Sequence, residues 1–357
     1  MKRSKGEPPK NVPASIKGRL LALARSQDED FNAILTRYVL ERLLHRLAAS
    51  VHGPSFVLKG ATLFVVWSGK PHRATRDVDL LGFGSPDLGR LAMVFREICE
   101  AAVEDDGLRF DGDSIHAAPI RADAVYDGVR VTFLVYLGSA RVPVQVDVGF
   151  GDAALPSPVL VELPTLLAHP RPTLRAYRRE VAIAEKLHAM VDLGVANSRM
   201  KDYFDVWFLS RHFEIDGADL ALAIQSTFDR RETPIPFGIP AGLRSEFSES
   251  VAKLAQWKAF VRRTRLAVEA PSLPEAVAAV GALALPVLHE PDPRRPPGGG
   301  LPRGPLRLAV RRRAARRRSA AGGRAPRAAP PPQSSAAGPR AARPRAGPAA
   351  DRQHPDP

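Results

Sequence analysis

Residues 73–82 read RATRDVDLLG, and the alternation inside this stretch decides the fold. Arg73, Thr75, Asp77 and Asp79 occupy every second position, the period of a strand whose successive side chains take opposite faces. A strand here sets an arginine, a hydroxyl and two carboxylates in one rank. Two like charges held that close repel unless a cation neutralises them. Hard oxygen ligands favour Mg2+ or Mn2+, ions that also bind nucleotide phosphates. An arginine fork beside them suits phosphate recognition. Alone, the D-x-D is a weak sign, because acidic pairs at strand ends commonly face a loop, and Arg73 alone reads as a solvated rim charge.

Upstream, FVLKGATLFVVW (residues 56–67) mixes β-branched and aromatic residues around Gly60, as a strand and turn would. A glycine turn lets backbone N–H groups approach phosphates, and Thr62 follows it. Downstream, RVPVQVDVGF (residues 141–150) reads as a second strand. Its Asp147 lies among four valines, where a carboxylate is costly to bury without a partner. A third carboxylate on a neighbouring strand would complete a two-metal site for in-line phosphoryl displacement, so Asp147 is the candidate third ligand. The intervening DLGRLAMVFREICEAAVEDD is an amphipathic helix. Val125–Leu137 suggests a strand pair turning at Asp127-Gly128.

Helical spacing flanks this core. Ile16, Leu20 and Leu23, then Leu40, Leu43, Leu44 and Leu47, line helix faces before it. A Pro-rich connector (Leu155 to Pro172) follows, and the pattern is then helical to about Glu290, with Val181, Ala184, Leu187 and Val191 on one face and Gly194 as a stop. The expected class is α+β, with N-terminal helices (1–50), a core with a mixed sheet (51–154), a helical C-terminal region completing the site (172–290) and a tail (291–357). In NSRMKDYFDVW, Asp202 and Asp205 are i and i+3, neighbours on one helix surface. Each has a plainer reading: Asp202 as a first-turn acid after a Ser198 N-cap, and Lys186 on the preceding helix as a solvated lysine.

The net charge of +14 belongs to the tail, where sixteen Arg and three Asp carry +13, leaving the body at +1. The tail also holds 15 of the 34 prolines and few large apolar residues, so it is expected to be disordered. A single cysteine, Cys99, excludes an intrachain disulfide framework and sits in an apolar helical pattern as a structural thiol. The basic opening lacks the apolar run of a secretion signal, and the longest apolar stretch, Ala276 to Leu288, is too short to span a bilayer, so a cytoplasmic protein without a membrane partner is expected. No zinc-ligand spacing occurs among the nine histidines.

In order and spacing, FVLKGATL, RATRDVDLL, VQVDVGFGD, AEKL and SRMKDYFDV, preceded by ERLLHRLAAS, resemble the successive motifs of the AbiEii/AbiGii nucleotidyltransferase toxins. The resemblance runs from about Ser15 to Glu290 and implies a DNA polymerase β-like core. It implies that Asp77 and Asp79 bind metal, that Lys186 contacts nucleotide phosphates and that Asp202 is catalytic. Gly60, Thr62, Arg73 and Thr75 are the expected nucleotide-binding positions with Lys186, and Lys59, Arg199, Lys201 and Asp205 in the same motifs are expected to support the site. It further implies an NTP donor and a co-expressed antitoxin; relatives of the MenT type add pyrimidine nucleotides to the 3′ end of tRNA. One departure matters: the usual Gly-Ser reads Gly60-Ala61, so Thr62 or Thr75 is expected to supply the hydroxyl. The residues leave other outcomes open: transfer of a nucleotide or phosphate to a protein or small molecule, or a non-catalytic binding module on the same fold.

Overall fold

The structure is a computed structural model that describes residues 11–288, apart from 70, 72, 74, 121–127, 265 and 267. The Arg/Pro tail and Asp127 of the expected hairpin lie outside the described residues. Two helices come first among the described residues, α1 (Val12–Ser26) and α2 (Phe31–Ala49). Asn11 and Asp30 cap them by accepting the backbone N–H of Ala14 and Ala33, each at 3.0 Å. The leucines at 40, 43, 44 and 47 are all buried, as their spacing predicts.

Then come β1 (Phe56–Lys59), α3 (Leu63–Ser68), β2 (Asp77–Gly82), α4 (Leu88–Cys99), β3 (Leu108–Pro119), β4 (Gly128–Leu137), β5 (Ala140–Phe150), β6 (Val159–Glu162) and β7 (Thr173–Ala176). The seven strands form one mixed sheet in the order β3-β4-β5-β2-β1-β7-β6. β2 is central, antiparallel to β1 and parallel to β5. In β4, inward and outward positions alternate without a break, the mark of a sheet with one face on a core. Asp87 caps α4 through the N–H of Arg90, and Leu91, Val94, Phe95 and Ile98 form its buried face. Cys99 is buried there, its thiol pushed up to about 12 by burial, as a structural cysteine requires.

Four expectations change. FVLKGATLFVVW holds the strand and turn expected, but the turn, a 3-10 turn over Gly60–Thr62, leads straight into a helix, α3. Residues 128–137 form a single strand, and the hairpin turn is Gly138-Ser139, with Gly138 at φ +58°, where glycine suits a tight primed turn. β3 was not foreseen, since its sequence LRFDGDSIHAAP lacks an apolar alternation. The Pro-rich connector holds β6, which pairs with β7, while β7 runs parallel to β1, so residues 159–176 extend the core sheet.

The rest is helical: α5 (Arg179–Leu193), α6 (Met200–His212), α7 (Gly217–Arg230), α8 (Ser245–Ser248), α9 (Val251–Arg263) and α10 (Leu273–Leu288). Gly194 ends α5 at φ +46°. Ser272 and Glu275 form a reciprocal capping box at the start of α10. Among the described residues, no helix is long and apolar enough to cross a membrane.

Candidate active site

The strand that carries the rank is shorter than the alternation. β2 begins at Asp77, while Arg73 makes an isolated bridge to Leu266 and Thr75 lies outside any strand. The side chains nevertheless meet. Thr75 Oγ1 donates to Asp77 Oδ1 at 2.6 Å. Asp77 and Asp79, two apart on β2, share a face.

Asp79 is the least compensated of the group. Burial first, then the neighbouring Asp77 carboxylate, pushes its pKa up to about 6, against the pull of Lys59 and Lys201. No side-chain hydrogen bond or ion pair reaches it among the described residues. Its carboxylate lies over Gly60, where the Cβ of any larger residue would stand 1.9 Å from Oδ2. Gly60 therefore serves by close approach as well as by its φ of +72°. Thr62 is buried, and its Oγ1 has no hydrogen-bond partner.

Asp147 stands beside Asp79 in the parallel β2–β5 register. Both its oxygens, however, accept from the Arg130 guanidinium at 2.8 Å, and Gln145 Nε2 adds a contact at 3.2 Å. Among the described residues, no group of three or more His, Cys, Asp or Glu is arranged to hold a metal ion. Arg130, its cross-strand partner on β4, turns the expected third carboxylate into an ion pair.

On the other side of the site, α5 and α6 bring Lys186, Asp202 and Asp205 together. Lys186 Nζ lies 2.9 Å from Asp202 Oδ1 and 2.9 Å from Asp205 Oδ2. Arg73 forms a fork on Asp205, Nε to Oδ1 at 2.8 Å and Nη2 to Oδ2 at 3.0 Å. Both aspartates are 0% exposed. Burial works against the charge on Lys186 and Arg73, but the aspartates overcome it and raise both pKa values. These two cations are thus neither solvated nor at a rim. Arg199 Nε lies 2.6 Å from Asp202 Oδ2, yet that oxygen accepts no hydrogen bond, so the contact is one of charge alone. Arg199 and not Ser198 is the N-cap of α6, and no side chain caps the helix. Arg73 feels Asp205, Asp202 and Asp77 together, which ties this cluster to the carboxylate pair.

A third cluster holds Lys59, the β1 residue in register with Asp79. Lys59 Nζ lies 2.8 Å from Asp152 Oδ2 and 3.2 Å from Glu185 Oε1. Burial disfavours its charge, but Glu185, Tyr177 and Asp152 hold its pKa well above the ordinary value. Arg231 closes the group at 3.0 Å from Asp152. Burial would raise the Asp152 pKa; Lys59 and Arg231 bring it below the usual carboxylate range. Asp152, Glu185, Arg231 and Arg130 were missed as site residues. Asp152 and Glu185 stand inside the motifs VQVDVGFGD and AEKL, which was the available signal; Arg130 and Arg231 had none.

The donor set can be tested against a metal. Asp79, half-buried beside Asp77 and without a side-chain hydrogen bond or ion pair among the described residues, suits a hard divalent cation. Mg2+ commonly takes one or two carboxylates and completes its shell with water and substrate phosphates, so a pair suffices. Lys186 has three donors and directs two at the aspartates, leaving one.

A family model described as "Nucleotidyl transferase AbiEii toxin, Type IV TA system" matches residues 42–279. No curated protein matches significantly. Solved structures give distant likenesses. JHP933 from Helicobacter pylori is 17% identical at a TM-score of 0.43, covering 72% of this chain and 91% of that one. MenT4, a nucleotidyltransferase toxin from Mycobacterium tuberculosis, is 20% identical at a TM-score of 0.42, covering 76% and 98%.

Proposed function

The chain belongs to the AbiEii nucleotidyltransferase toxin family, and from that premise we propose that it moves a nucleotide from an NTP to the 3′ end of an RNA, with tRNA as the preferred acceptor. The observation that carries the site assignment is Asp79, a half-buried carboxylate beside Asp77 with no ion-pair partner among the described residues, in the field of Lys59 and Lys201.

Asp77 and Asp79 would hold Mg2+ or Mn2+. When bound, the ion supplies charge neutralisation at the phosphate under attack and at the leaving pyrophosphate. The chain's own residues do the rest. Thr75 fixes the rotamer of Asp77 through its hydroxyl. Gly60 leaves room for Asp79 to stand beside it. Lys186 presents its remaining donor to the triphosphate, and Arg73 reinforces the positive field there. Asp202 and Asp205, fully buried, act through Lys186 and Arg73 by holding them in place. Lys59 is held by Asp152 and Glu185, and Lys201 is exposed; both temper the repulsion at Asp79. Asp147 is reserved by Arg130 and stands by as a third carboxylate. A cognate antitoxin, as the type IV systems of this family imply, restrains the activity in the cell.

The test is to incubate the protein with radiolabelled NTPs and separated pools of total RNA, protein and small molecules. Label is expected in RNA. Label confined to protein or small molecules would overturn the acceptor assignment.

A further inference from the structure

Four charged side chains stand in one row across the sheet. Lys59 on β1 is in register with Asp79 on β2, Asp79 with Asp147 on β5, and Asp147 with Arg130 on β4. Residues in register on neighbouring strands share a face, so the row runs cation, carboxylate, carboxylate, cation. Like charges directly opposite each other are destabilising, and a symmetric row would give each carboxylate the cation at its own end. The row is not symmetric. Lys59 Nζ is drawn to Asp152 at 2.8 Å and Glu185 at 3.2 Å, and makes no ion pair with Asp79 among the described residues. Arg130 instead closes on Asp147.

That closure is complete. Asp147 Oδ1 accepts Arg130 Nε at 2.8 Å and Gln145 Nε2 at 3.2 Å. Its Oδ2 accepts Arg130 Nη2 at 2.8 Å and the same Gln145 amide at 3.3 Å. An ionised carboxylate has about four lone-pair sites, and these four contacts engage them all. Gln145 is the register neighbour of Asp77, yet its amide turns to Asp147. Two parallel N–H donors from one guanidinium are the strong, planar form of carboxylate recognition. The Arg130 side chain is 42% exposed, so this fork and not close packing holds it at Asp147. Its hydrogen bond to Asp147, then the charges of Asp147, Asp77 and Asp79, raise its pKa against the effect of burial. The guanidinium thus lies in the field of all three carboxylates, where a second metal ion would also be drawn.

We propose that Arg130 takes, on Asp147, the place of a second metal ion, so that the chain itself holds one divalent cation, on Asp77 and Asp79. Arg130 is a positioning residue: it acts through Asp147 and sets how many carboxylates a cation meets. The proposal rests on the metal reading of Asp77 and Asp79 given above. It divides the three aspartates of β2 and β5 by role, where the sequence alone makes Asp147 a third metal ligand.

The experiment reads metal binding, not transfer. Mn2+ is titrated into the full chain without NTP, and the free ion is followed by its electron paramagnetic resonance signal. Wild type should bind one Mn2+ per chain, and Asp77→Asn should lose it. Arg130→Met leaves Asp147 the Gln145 amide. It should bind Mn2+ at least about tenfold tighter, because a third carboxylate joins the ligand set. A cycle with Asp147→Asn separates this from the loss of a positive charge. Charge loss alone tightens binding by the same factor in both backgrounds. Release of Asp147 tightens it only where that carboxylate is present, so the two factors should differ about tenfold. Two Mn2+ on wild type, or equal factors in the two backgrounds, would overturn the proposal, and the first result needs no variant to fold. Failure of the metal reading looks different: Mn2+ binding that Asp77→Asn leaves unchanged.

Discussion

Gly60→Ala is the perturbation whose effect the structure defines most directly. The new Cβ would lie 1.9 Å from Asp79 Oδ2, 2.6 Å from its Cγ and 2.7 Å from its Cβ, so the carboxylate cannot stay where it is. The backbone itself suffers little. Alanine at φ +72° costs about 1–2 kcal/mol. For a chain of this size that is a fall in Tm of about 2–8 °C, well within a native stability of about 5–15 kcal/mol. The functional loss is larger. Moving Asp79 away from Asp77 dismantles the cation site, and forfeiting about 3–5 kcal/mol of transition-state stabilisation slows transfer about 10²–10⁴-fold. Gly138→Ala is the control: its φ is +58°, but the nearest atom to a new Cβ is 3.9 Å away, so it bears similar strain without the collision. Thermal unfolding by circular dichroism and transfer rate per folded molecule are measured on both. Should Gly60→Ala transfer at the rate of Gly138→Ala, Asp79 does not work from the place assigned to it.

Lys186→Met should destabilise by about 3–5 kcal/mol in urea unfolding, because it removes the hydrogen-bonded cation of fully buried Asp202 and one of the two cations on Asp205, and adding Asp202→Asn should recover part of the loss; a change below about 0.5 kcal/mol would return Lys186 to a solvated helix lysine. Glu41 gives a pH signature. Its folded pKa of about 7 stands above the unfolded 4.5, so the native state keeps a proton that the unfolded chain releases between those values. Stability should therefore fall as pH rises across that window, by about 3 kcal/mol, and Glu41→Gln should flatten the slope; an unchanged slope in the variant would place the titration elsewhere. A chain ended after Glu290 should unfold cooperatively and retain transfer, since the tail's composition offers no core; loss of cooperative unfolding would show that the tail carries structure.

Short-range periodicity made the central features legible. The two-residue period placed Asp77 and Asp79 on one strand face, and the three-residue spacing placed Asp202 and Asp205 on one face of α6. The partners of these groups were not legible, because they come from elements far apart in the chain. Nothing local to Lys186 says that α6 will pack two aspartates against it, and nothing near Asp147 says that β4 will bring Arg130 opposite. The same holds for the buried pair of Arg42 and Arg46 on Asp106, which anchors α2 to the start of β3. β6 escaped notice because it is a short strand at the sheet edge with outward Leu160 largely exposed, so no apolar alternation marks it. The helix at residues 63–68 went unread for another reason: β-branched and aromatic residues suit a buried helix turn as well as a strand, and periodicity over so few residues cannot separate them.

The central claim is nucleotidyl transfer to RNA at Asp77 and Asp79, and the position of the label in the NTP tests it. RNA is incubated with the protein and Mg2+ together with NTP labelled at the α or at the γ phosphate, using wild type and Asp77→Asn. The account predicts that α label enters the RNA 3′ end while γ label leaves as pyrophosphate, and that Asp77→Asn, still folded, transfers neither. Entry of γ label into RNA, or transfer by Asp77→Asn at the wild-type rate, would contradict it.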